Sequence, residues 1–266
     1  MDLALVVTNL RDLIDLRLAE LREGKVQPQH VLDLARMYRR LGCAELLGES
    51  DADSFFLCLF RAADLYLQLL EQPGARRVPD PYSLARGRAE PLLDALALGD
   101  VELAVRIDAR SEKAFHEGME YEEDFWFFTL LPKLAVAGTQ PQELHGGLEQ
   151  MKQALRGIAY PRYDVLRALA GGDSKGFERA LKALTAAWEA EMKRESGSGQ
   201  GNPYALSTEA RVFVEGVALV RVARARGLRT GSKYRLIPPA ALAPPRKSFR
   251  RAPVWKSRSS SRSTRR

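Results

Sequence analysis

DSFFLCLFRAADLYLQLL, from Asp53 to Leu70, decides the fold class. Its apolar residues Phe56, Leu59, Phe60, Ala63, Leu67 and Leu70 fall three, four and seven apart. That spacing lays one continuous stripe along an α-helix and makes no sense on a strand. Ser50 or Asp51 stands where a cap is needed, so the spacing predicts a helix over about Ala52–Glu71. Outward from this segment the helical period continues. Strand-type alternation is nearly absent, and Leu, Ala, Arg and Glu dominate. The expectation is an all-α protein, an irregular multi-helix bundle of stacked αα-hairpins.

Punctuation places the other helices. One runs over about Asp2–Glu23 and stops at Gly24. Pro28 opens the next, to about Leu41, with Gly42 as its end. Further helices are expected over Tyr82–Leu98, Glu122–Val136, Gln142–Ile158, Gly176–Arg194 and Thr208–Arg226, with Glu195–Pro203 (ESGSGQGNP) as a loop. The Thr208–Arg226 helix is apolar on most sides, which predicts a central, buried position.

Two joints repeat a pattern. PLLDALALGDVELAVRI carries Gly99–Asp100, and DVLRALAGGDSKGFERAL carries Gly172–Asp173. Gly closes a helix in the left-handed conformation, and Asp accepts the free N–H groups of the next first turn. Both are αα-hairpin joints, and Asp100 and Asp173 read as caps rather than functional acids.

Charge is divided along the chain. Arg211–Arg266 holds 16 Lys/Arg against one acid, Glu215, whereas residues 1–210 hold 25 against 33 Asp/Glu. The net charge of +7 therefore describes no single surface. The body is acidic and the end basic. Residues 1–245 are expected to form one helical domain. Residues 246–266, rich in Arg, Ser and Lys, are expected to be a disordered tail that can be removed without loss of the fold. Cys43 and Cys58 sit among apolar residues without metal or redox spacing and read as buried thiols. The first residues lack the features of a signal peptide, and no apolar run is long enough to span a membrane. Together these predict a cytoplasmic protein.

Chemistry is harder to find. His30, His116 and His145 are isolated, GSGQG at 197–201 has neither strand nor lysine, and no serine sits in an elbow motif. No enzyme, metal site or cofactor is expected. The densest cluster is GMEYEEDFWFFTLLPKLA, Gly118–Ala135. Glu120, Glu122, Glu123 and Asp124, with Trp126, are the candidate partner-binding residues. One reading is an acidic and aromatic docking surface. The other is a helix start with acids near its positive end and Tyr121, Phe125 and Phe128 in the core.

The order of segments resembles the immunity protein 49 family, helical proteins that protect bacteria from polymorphic toxins. The stretches that carry the resemblance are Asp53–Leu70, Pro91–Ile107, DFWFFTLLPKLA at Asp124–Ala135, Asp164–Leu181, and the close from VEGVALVRVARARGL at Val214–Leu228 to YRLIPPAAL at Tyr234–Leu242. The resemblance covers most of residues 50–242 and supplies no catalytic residues. It implies a cytoplasmic antitoxin that binds a cognate toxin effector by stoichiometric occlusion. An acidic body suits a basic toxin cleft. Two other classes remain open: a helical nucleic-acid-associated or regulatory protein acting through its basic tail, and an all-α enzyme with a polar cavity. Oligomeric state is not legible.

Overall fold

The structure is a computed structural model that describes residues 2–24, 27–72, 81–139 and 141–254. It is all-α, with no strand among the described residues. The helices are α1 (Leu3–Arg22), α2 (Pro28–Gly48), α3 (Ala52–Glu71), α4 (Pro81–Leu84), α5 (Glu90–Leu98), α6 (Val101–Arg110), α7 (Glu122–Ala135), α8 (Pro141–Leu155), α9 (Pro161–Ala170), α10 (Ser174–Ser198), α11 (Pro203–Ser207) and α12 (Val214–Ala225). None is long and apolar enough to cross a membrane.

The α3 stripe becomes the middle of the core. Phe55, Phe56, Leu59, Tyr66 and Leu67 are buried there, with α2 on one side and α5 and α6 on the other. α12 packs against α5 and buries Val217, Leu219 and Val220. The expected joints form: Gly99 and Gly172 have φ of +89° and +65°. Asp100 accepts from the Leu103 N–H, Asp173 from Gly176 and Asp51 from Ser54. Both cysteines are buried free thiols, and burial pushes Cys58 up to about 12 and raises Cys43 as well.

Several boundaries differ from the sequence expectation. α2 runs through Gly42 to Gly48. A Cβ at Gly42 would lie 2.9 Å from the Cys58 Cβ and 3.1 Å from the Phe55 carbonyl oxygen. The glycine is thus a contact surface for α3, not a stop. The single helix expected over Tyr82–Leu98 is broken into α4, a 3-10 turn at Arg86–Arg88, and α5. Pro91 lies in the first turn of α5, where its missing N–H costs nothing, whereas a continuous helix would lose the bond from residue 91 to residue 87. α10 extends four residues into the expected loop, to Ser198. The expected helix from Thr208 starts at Val214 instead. The Phe213 N–H donates to the Leu236 carbonyl at 2.7 Å, a long-range bond that replaces a helical one.

The tail also differs. Residues 246–254 do not leave the fold but lie along α3. Phe249 stacks on Phe60 with ring centroids 5.5 Å apart. Arg251 pairs with buried Asp64 and with Glu71 at 3.0 Å. Gln68 accepts from the Val254 N–H and donates to the Ala252 carbonyl, both at 3.0 Å. The rest of the expected tail, 255–266, lies outside the described residues.

Candidate partner-binding surface

The start of α7 and the loop before it are built from behind. Arg86, on the 3-10 turn, is buried and reaches across to this region. It donates to the Glu112 carbonyl at 2.6 Å, to Asp108 Oδ1 at 2.5 Å and to the Phe128 carbonyl at 3.3 Å. The Phe128 carbonyl needs a partner because Pro132, four residues on, has no N–H to give it. At the other end of the loop, Glu120 accepts from the Gly87 N–H at 2.5 Å and from the His116 N–H at 3.2 Å. A Cβ at Gly87 would meet Glu120 Oε2 at 2.9 Å, so the glycine makes this approach possible. The loop over 111–121 is pinned at both ends to one short turn.

The pinned loop displays apolar side chains. Tyr121 is 71% exposed, Phe115 37% and Met119 36%. Phe115 rests edge-on against Phe125 at 5.9 Å, and Trp126 packs on the same ring at 5.3 Å. Glu117 is exposed, and Glu122 and Glu123 are half-buried beside them.

The sequence-predicted residues therefore part company. Glu120 supports the loop. Asp124 accepts from the Tyr160 hydroxyl at 2.5 Å and from Arg162 at 2.6 Å. Arg162 in turn forks onto Glu215 at 2.7 Å through both Nε and Nη2, and lies over the Phe127 ring at 4.7 Å. Burial would lower the Arg162 pKa, but Glu215 and Asp124 outweigh it and hold it well above its ordinary value. Asp124 is thus a tie between α7, α9 and α12. Glu122 accepts from Trp126 Nε1 at 3.4 Å, and Trp126 is half-buried. The Glu123 side chain makes no hydrogen bond or ion pair among the described residues. Phe125, Phe127 and Phe128 are core, as the second reading expected, but Tyr121 is not. Phe115 and Met119 were missed, because SEKAFHEGM at Ser111–Met119 has no periodicity to mark a face.

A larger concavity lies elsewhere, a cleft of about 580 Å³ between α2, α5, α10 and the 208–215 stretch. Its walls are a lattice of paired charges. Arg39 forks onto Asp94 at 2.6 and 2.8 Å, Arg36 holds Glu90 at 2.9 and 3.1 Å, and Arg40 holds Glu209 at 2.7 Å. Burial alone would raise the Glu90 pKa, but Arg36 and Arg39 bring it down to about 2. With these cations and acids engaged with one another, this part of the cleft fixes helices. No group of three or more His, Cys, Asp or Glu fit to hold a metal occurs among the described residues.

The family model for immunity protein 49 matches residues 16–241, nearly the whole described body. The chain belongs to the immunity protein 49 family. No curated protein and no solved structure matches it. The match spans the pinned loop, α7 and the charge lattice, and it stops short of the segment that runs along α3.

Proposed function

We propose that this protein is a cytoplasmic antitoxin that binds a cognate bacterial toxin and neutralises it stoichiometrically, by occlusion rather than turnover. Membership of the immunity protein 49 family carries the reading. The contact surface is the loop over 111–121 with the first turn of α7. Three large apolar side chains within seven residues, rimmed by Glu117, Glu122 and Glu123, make an apolar centre with an acidic edge. Such a patch fits a partner with a basic surface. A loop already held at both ends gives up little entropy on binding. Glu122, Glu123 and Trp126 remain contact residues in this proposal. Glu120 and Asp124 act by holding the surface in place. Nucleic-acid binding through the tail fits less well, because Lys247 and Arg251 face Asp53, Asp64 and Glu71 on α3.

The test is a titration of the toxic domain encoded beside this gene with the purified protein. Toxicity should vanish near a fixed molar ratio, and Tyr121→Ser with Phe115→Ser should abolish protection while the protein stays folded. Full protection at a small fraction of that ratio would mean catalysis. An unimpaired double variant would move the contact surface elsewhere.

A further inference from the structure

Three of the most deeply held guanidinium groups in this fold have carboxylates against them: Arg39 has Asp94, Arg86 has Asp108, Arg162 has Glu215. Arg221 on α12 does not, among the described residues. Its Nη2 donates to the carbonyls of Ala241 at 3.2 Å and Ala243 at 2.7 Å, and its guanidinium lies over the Phe56 ring at 5.3 Å. Its Nε is buried without an acceptor. Burial, and then the charge of Arg224, bring its pKa down to about 10, and no acid works against them. Arg224, one turn on, is exposed and also lacks a carboxylate among the described residues. It donates to Thr230 Oγ1 at 3.0 Å and to the Gly231 carbonyl at 3.4 Å.

Both arginines border one pocket of about 250 Å³ whose other walls are mostly apolar, including Leu96, Val101, Val222 and Leu242. Gly99 keeps it open beside the guanidinium, since a Cβ there would lie 3.2 Å from Arg221 Nη1. A half-buried cation without a counter-charge is costly, and an anion entering this pocket would relieve that cost. The apolar walls select an anion with an apolar body over a fully hydrated one. The volume is below the range of about 300–1,000 Å³ usual for larger ligands.

We propose that this pocket binds a small carboxylic acid. Its carboxylate faces Arg221 and Arg224, and a short branched apolar body sits between Leu96, Val101 and Leu242. The site stands on its own, apart from the toxin-binding surface.

Isovalerate is the probe, with isovaleramide as its uncharged counterpart of the same shape and inorganic phosphate as an anion without an apolar body. Calorimetric titration of the full chain at low ionic strength should give saturable binding of isovalerate. Isovaleramide should bind at least tenfold more weakly, and so should phosphate. Arg224→Gln, at an exposed position, should weaken isovalerate about threefold or more, as loss of one exposed charge would. Ala225→Met, which fills the pocket from the exposed end of α12, should remove binding and leave the melting temperature unchanged. No saturable binding by the unsubstituted protein overturns the proposal. So does equal binding of isovaleramide or phosphate, or unchanged binding in Arg224→Gln and Ala225→Met. If Ala225→Met weakens toxin binding and isovalerate never binds, the pocket takes an acidic side chain of the partner and the free-acid assignment is wrong.

Discussion

Arg86 and Phe128 are joined by a hydrogen bond that the sequence of α7 makes necessary. Pro132 leaves the Phe128 carbonyl without its helical donor, and Arg86 Nη1 takes it at 3.3 Å. The same side chain holds Asp108 and the Glu112 carbonyl, where the displayed loop begins. One buried arginine therefore repairs a helix and sets the position of the displayed loop.

Replacing Arg86 by Met should be severe. It leaves Asp108 without its buried partner and two carbonyls without donors, and should cost about 3 kcal/mol or more in urea unfolding. Arg86→Lys keeps the charge but cannot fork, so it should fall between. A loss below about 1 kcal/mol for Arg86→Met would mean that the turn does not depend on it.

Glu120 and Glu123 should behave oppositely although they lie three residues apart. Glu120→Gln weakens two backbone contacts and should cost roughly 1–2 kcal/mol. Glu123→Lys should leave stability within about 0.5 kcal/mol. It should slow toxin association at low salt, and the effect should fade as the Debye length shrinks from about 30 Å at 0.01 M to about 3 Å at 1 M. Stopped-flow association at two salt concentrations checks both halves.

Truncation should separate two parts of the tail. Ending the chain at Val254 should leave the melting temperature unchanged. Ending it at Pro245 removes the Phe249 stack and the Arg251 pair, and should lower it by several degrees, at about 2–4 °C per kcal/mol. Arg251→Gln alone should reproduce much of that loss, because Asp64 is 2% exposed and would keep its charge without a cation.

Acid should unfold the protein in part through Glu90. Its folded pKa is depressed from 4.5 to about 2, so folding favours the ionised form. That contribution is complete above 4.5 and is lost as pH falls from 4.5 towards 2. Glu90→Gln should lower stability at pH 7 and flatten its decline over that window. Parallel curves for the two proteins would show that Glu90 is not coupled to folding.

The α3 stripe and the Asp100 and Asp173 caps were legible because their signals are local, a period or a cap three residues from its donor. Gly42 was not, since a glycine that ends a helix and one that lets two helices touch look the same without the partner. The acid run was legible as a run. Which acids stay available was not, because Glu120 and Asp124 are engaged by Gly87 and Arg162, far along the chain. Phe115 and Met119 lacked any period. Their signal was apolar residues with no helix to bury them.

The close seat of Cys58 against Gly42 makes the chain its own opening gauge. Both thiols are buried, and burial pushes Cys58 up to about 12, so a thiol-directed reagent at neutral pH reaches them only when the helices packed around them separate. Labelling rates at Cys43 and Cys58 would then count those separations directly. Seating a toxin on the loop before α7 could be read as a slowing of that count, without any probe attached to the contact surface.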